Sequence, residues 1–202
     1  GSSLPWHKDY TRPALLDFFL PARDSHAAAY YDWGTEKETQ WKENYRLWMA
    51  FVNEYKNRGG RVTAGADSGY MYNLYGFGYI QELELLREAG FHPMEVIQAA
   101  TLNAAEAIGM DDQIGTIEVG KFADMILMDQ NPLKNLKYLY GTGDIKLNET
   151  NQVVRVGGVN YTIKDGIIYD ARQLLEDVKK IVDEEKEATP DWENLLIQSI
   201  DR

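Results

Sequence analysis

The sequence predicts an α/β fold. Three observations predict it: a long amphipathic helical pattern, a short buried strand directly behind it, and two further helical patterns reached through a glycine-rich loop. Before the first of these, residues 1–34 carry Pro5, Pro13 and Pro21 among scattered aromatics and read as irregular covering structure, with residues 14–20 as a short helix. From Thr35 the pattern turns helical. Thr35 stands as the cap with Glu38 three residues on, and Trp41, Tyr45, Trp48, Met49, Val52 and Tyr55 recur at three- and four-residue steps until Gly59-Gly60. Residues 61–67, Arg-Val-Thr-Ala-Gly-Ala-Asp, are small and β-branched with charge only at the ends, as expected of a strand buried on both faces.

Residues 68–79 are rich in Gly and Tyr and read as a loop. Ile80, Leu83, Leu86 and Ala89 then form the stripe of a helix ended by Gly90, and Pro93 opens another, with His92 at or beside its cap, that runs to Gly109. Beyond Gly109 the pattern is β. Residues 114–119 and 123–129 read as two strands around Gly120-Lys121, 134–151 as an exposed loop, and 153–156 and 159–164 as further strands. Asp165-Gly166 before Ile167-Ile168-Tyr169 is the strongest hairpin signal, because a type I′ turn needs positive φ at both positions. Leu174, Leu175, Val178, Ile181 and Val182 mark a last helix with a solvated acidic end, broken by Pro190.

Composition narrows the partners. The 202 residues hold 21 Lys and Arg against 32 Asp and Glu, a net charge of −11 that repels phosphate backbones and anionic lipid, so neither nucleic acid nor membrane is expected. There is no cysteine, which excludes disulfides, thiolate metal sites and a Cys nucleophile and leaves the compartment open. The first five residues lack the basic and apolar regions of a signal peptide.

Four blocks say more than periodicity does. They are Thr63-Ala64-Gly65-Ala66-Asp67-Ser68-Gly69, Glu82-Leu83-Glu84-Leu85-Leu86-Arg87-Glu88-Ala89-Gly90, the run 99–109 (AATLNAAEAIG), and 115–124 (GTIEVGKFAD). In order and spacing they closely resemble the C-terminal part of the metal-dependent amidohydrolase superfamily, in its imidazolonepropionase-like branch, and Asn131-Pro132-Leu133 and the 164–166 hairpin extend the likeness. The resemblance implies a TIM-type (β/α)8 barrel with a small β-sandwich. A whole barrel takes about 250 residues, so the expectation is the C-terminal portion: residues 1–110 from the barrel, 111–171 from the sandwich, and 172–202 a helical tail.

The resemblance also implies chemistry: hydrolysis of a C–N bond (amide, dipeptide or cyclic amide) by a metal-activated water. Family members hold their divalent metal, commonly zinc, on a His-x-His pair, a carboxylated Lys or Glu, and two later histidines. This chain has only His7, His26 and His92, with no His-x-His. The matching site residue is Asp67, at the C-terminal end of the strand, where barrels place their chemistry. In the family it neighbours the metal and relays a proton from the attacking hydroxide to the departing amine; read without the resemblance, it is a turn or capping carboxylate. In the following loop Ser68, Tyr70, Tyr72 and Tyr75 either line a substrate pocket or pack over the barrel. Thr101 and Asn103 fit helix positions that hold the last helix to the barrel. The expected partners are a small-molecule substrate and the N-terminal half of the enzyme or a second chain, with self-association of an open barrel, and the chain alone is expected to be inactive. The alternative is a non-catalytic degenerate domain, or a subunit completing a barrel with another chain.

Overall fold

The computed structural model describes residues 8–15, 33–69 and 73–189. Helix α1 (Thr35–Asn57) is the long amphipathic helix expected, but Thr35 does not cap it: the cap position is Gly34, whose carbonyl accepts from Glu38 N–H, while Thr35 is already helical and its own carbonyl receives the Thr39 hydroxyl. No residue of α1 is buried, and Trp41, Leu47, Trp48 and Phe51 are each more than half exposed. Its rings associate along the helix, Trp48 edge-on to Phe51 and Phe51 stacked on Tyr55. Its last turns meet the body of the chain, where Val52 packs on the core and Lys56 lies 4.9 Å over the Phe91 ring.

Residues 61–67 depart from the expectation. They form no ladder, because a strand exists only beside a partner, and among the described residues none pairs with them. They are nevertheless fixed in place: Ala64 N–H donates to Ala99 C=O, Asn103 Nδ2 donates to Val62 C=O at 2.9 Å, and Val62 and Ala64 pack against the core. The holding role expected of Asn103 is thus visible as a bond.

Helix α2 (Gly78–Glu88) follows the loop, and the helical pattern after Gly90 is divided into α3 (Pro93–Ala100) and α4 (Leu102–Ala107). The break falls at Thr101, whose hydroxyl donates to Ile97 C=O at 2.7 Å and whose backbone leaves the helical region. His92 takes the expected N-cap position of α3, its N–H donating to Glu95 Oε2. The core gathers Leu83 and Leu86 of α2, Phe91, and Val96 and Ala99 of α3 with Leu136 and Leu139.

The two leucines from beyond residue 130 correct the reading of 134–151 as an exposed loop. Residues Leu136–Leu139 form a buried 3₁₀ turn, and strand β2 (Asp144–Leu147) follows. The turn is fastened to α2 by Glu84, which accepts from Tyr140 Oη at 2.7 Å and pairs with Lys137. Residues 114–119 are not a strand either: Gly115 has φ +93, and a Cβ there would lie 2.6 Å from Ala105 Cβ, so the chain turns where an extended pair was expected. Strand β1 (Met125–Leu127) instead pairs antiparallel with β4 (Tyr161–Lys164), which pairs with β5 (Ile167–Asp170) in the order β1-β4-β5; β2 pairs separately with β3 (Val153–Val156). The β4–β5 hairpin turns as expected, with φ +49 at Asp165 and +77 at Gly166. Asp124 accepts from Asp165 N–H and pairs with Lys164, tying the turn down.

Helix α5 (Ala171–Ala188) starts on Asp170, whose side chain accepts from Arg172 and Gln173 N–H. Residues 8–15 lie against its end: Arg12 Nε donates to Glu185 at 2.6 Å and Asp9 faces Lys186, while Tyr10 and Leu15 pack on Leu74 and Phe77. Of the expected helix 14–20, residues 13–15 are helical and the remainder lies outside the described residues, as does Pro190. Among the described residues no helix is long and apolar enough to cross a membrane.

One ion pair gives this assembly a pH signature. Lys56 Nζ sits 2.7 Å from Glu95 Oε2, and that hydrogen bond together with the His92 N–H holds the Glu95 carboxyl below the usual carboxylate range. A depressed carboxyl contributes stability at neutral pH that is lost as pH falls through its folded value. The melting temperature of Glu95→Gln should therefore lie below that of the parent above about pH 5, and the gap should close as pH falls below the usual carboxylate range. A constant offset across a pH-resolved melting series would remove this pair as the cause.

Candidate functional site

The segment 61–67 delivers Asp67 to the end of the core, and the backbone there is unusual. Asp67 has φ +47, a left-handed conformation that non-glycine residues seldom take, with Asp and Asn the side chains that tolerate it best. Its carboxylate is exposed and makes no hydrogen bond or ion pair with any described residue. A capping or turn carboxylate would hold a nearby N–H, as Asp170 and Asp124 do, and Asp67 does not.

Around Asp67 the loop closes on itself. Gly69 N–H donates to Asn73 C=O at 2.8 Å, and Asn73 Nδ2 donates to Ala66 C=O. Ser68 is half-buried, its Oγ beside Gly78 at the start of α2. The Tyr75 hydroxyl lies over Gly69, and its ring is 63% exposed. Leu74 and Phe77 anchor the loop from below, sharing an apolar cluster with Tyr10, Leu15 and Tyr140. Ser68 and Tyr75 lie in the loop that follows Asp67; Tyr70 and Tyr72, expected to line a pocket with them, lie outside the described residues, as do His7 and His26. Asn73 carried no expectation. The only signal for it was its being the one amide in an aromatic run, 70–79.

A metal centre of this kind needs several imidazole and carboxylate donors turned to one point. Among the described residues no three His, Asp or Glu converge in this way, and His92 is engaged as a helix cap. The described residues do not build a metal site by themselves. What Asp67 offers alone is an unencumbered carboxylate, able to accept a proton and release it.

This geometry can be set beside known proteins. The family model described as the amidohydrolase family matches residues 48–168, well over half of the chain, from within α1 to the first residues of β5. The chain belongs to the amidohydrolase family. Membership carries the barrel-and-sheet architecture of these enzymes, of which this chain holds a part. Over 79 residues this chain is 42% identical to the imidazolonepropionase of Geobacillus sp. (strain WCH70), a match that covers 39% of the chain and 17% of that relative. Over 121 residues it is 30% identical to the 5'-deoxyadenosine deaminase of Methanobrevibacter smithii, covering 54% of the chain and 26% of the deaminase. The crystal structure of an uncharacterized protein aligns with 77% of the chain and 34% of its own, at a TM-score of 0.50 and 22% identity; a putative prolidase from Bifidobacterium longum aligns with 65% of the chain and 29% of its own, at 0.48 and 28%. The chain thus spans between 17% and 34% of the length of these relatives.

Proposed function

We propose that this chain supplies the C-terminal part of a hydrolytic site for C–N bonds, with Asp67 as its proton-handling carboxylate. The observation that carries the reading is Asp67 itself: exposed, bound to no described residue, and presented from a left-handed backbone at the end of the barrel segment. In the reaction Asp67 takes the proton of the attacking water and passes it to the departing nitrogen, so that the leaving group departs as a neutral amine. Family membership and the imidazolonepropionase and deaminase relatives support hydrolysis at a C–N bond; in this reading the bond is that of an amide, dipeptide or cyclic amide. The donors for a divalent metal, zinc in this reading, belong to residues outside this chain, and the 202-residue chain alone is silent. The exposed face of α1, with its row of aromatic rings, is the surface those further residues would cover.

The test is native mass spectrometry with metal analysis on the chain recovered from its own cells. The expected result is the chain within a longer polypeptide, or accompanied by a second one, carrying one or two divalent ions and hydrolysing dipeptides, N-acyl amino acids or cyclic amides. A single metal-free 23.1 kDa species, or amide hydrolysis by that species on its own, would overturn it.

A further inference from the structure

We infer that Asn73 is a positioning residue for Asp67, holding the left-handed turn from which the carboxylate projects; the inference rests on the reading of Asp67 as the proton-handling group. Two peptide planes decide where that carboxylate points, one on each side of the Asp67-Ser68 pair, and Asn73 binds both. Its side-chain Nδ2 donates to Ala66 C=O, fixing the plane before Asp67, and its backbone C=O accepts from Gly69 N–H at 2.8 Å, fixing the plane after Ser68. A non-glycine residue at φ +47 lies above its preferred basins and persists only where its surroundings hold it there. Asp67 has no side-chain bond of its own to do so.

The seat of Asn73 is itself built. Its Oδ1 is buried without a partner, so the amide is kept in place by the bond to Ala66 and by the space it fills. That space exists because residue 78 is glycine: a Cβ there would collide with the Asn73 amide and stand 2.8 Å from Ser68 Oγ. Leu74 and Phe77, both buried, fix the backbone on either side of this contact. Asn73 and Gly78 therefore act as one clamp on the 66–69 turn.

Two substitutions separate the clamp from the residue that makes it. Asn73→Ala removes the side-chain bond and keeps the backbone one; Gly78→Ala leaves Asn73 intact and pushes its amide off Ala66. The direct readout is the amide-to-Hα NOE within Asp67 in the 202-residue chain, which is strong only at positive φ. It should be strong in the parent and lost in both variants, while the core signals of Phe91 and Val96 stay unmoved. In the metal-containing enzyme of the preceding test, both variants should lower kcat about 10²-fold with KM unchanged, the signature of a misplaced reacting group. A strong NOE retained in both variants overturns the inference and leaves the role of Asp67 standing. Full turnover by Asp67→Asn overturns that role, while the NOE still decides whether Asn73 sets the turn.

Discussion

Replacing Asp67 by Asn should lower kcat of the assembled enzyme by about 10²- to 10⁴-fold, the range general acid–base groups supply, and leave the unfolding midpoint of the chain where it was. Both halves of that expectation come from the structure. The carboxylate has no described partner to lose, so its removal breaks no stabilising bond. Asn, like Asp, tolerates the left-handed region, so the amide keeps the backbone at φ +47. What disappears is the capacity to take and return a proton. Steady-state kinetics of the assembled enzyme, beside a denaturation curve of the same variant, check the point. Unchanged turnover would make Asp67 a turn carboxylate, the reading its four-residue context supports when the flanking blocks are set aside.

The largest effect on folding is expected at Phe91. Its side chain is 1% exposed and touches the core from the turn between α2 and α3, with Leu83, Leu86, Val96, Ala99, Leu136 and Leu139 in the same cluster. Its backbone is held as well, its N–H donating to Leu86 C=O and its carbonyl accepting Arg87 at 2.7 Å, so the segment does not collapse into a void. Phe91→Ala should cost about 3–5 kcal/mol, a large share of the roughly 5–15 kcal/mol that holds a domain together. Urea denaturation measures it. Ile181→Ala, on the exposed face of α5, is the control and should fall within about 0.5 kcal/mol of the parent. A loss below about 1 kcal/mol at Phe91 would mean that this cluster is not the centre of the fold.

The helices were legible in the sequence because apolar residues at three- and four-residue steps leave few alternatives, and the 165–166 turn because positive φ at two successive positions has a narrow chemistry. Where the reading failed, the cause is local. The alanine-rich run through Thr101 keeps helical period, so nothing in the spacing betrays a hydroxyl that bonds back to Ile97 and ends the helix. Leu136, Tyr138 and Leu139 are too few and too close together to register a period, although they bury as fully as a helix face. Residues 114–119 alternate like a strand, and the contact of Gly115 with Ala105 that turns the chain is invisible without the fold. The segment 61–67 has the composition of a doubly buried strand, yet its pairing depends on neighbours the described residues do not include. In the candidate site, the blocks around Asp67 are what single it out. Nothing in the sequence around Asn73 does so, because its side-chain bond goes to a backbone carbonyl seven residues away.

The contact between residues 8–15 and the end of α5 sets an order of events. Arg12 and Glu185 are 173 residues apart in the chain, and closing so long a loop costs about 4–5 kcal/mol of chain entropy. The exposed ion pair is too weak to drive that closure, so the segment can dock only on a surface already formed. During synthesis it waits roughly 10–35 s, at 5–20 residues per second, for its partner helix to follow. Until then Leu74 and Phe77, the apolar floor beneath the Asp67 loop, stand without Tyr10 and Leu15 over them. Residues 8–15, made before the Asp67 loop, therefore settle after it, and the loop gains its full support only once α5 has been made.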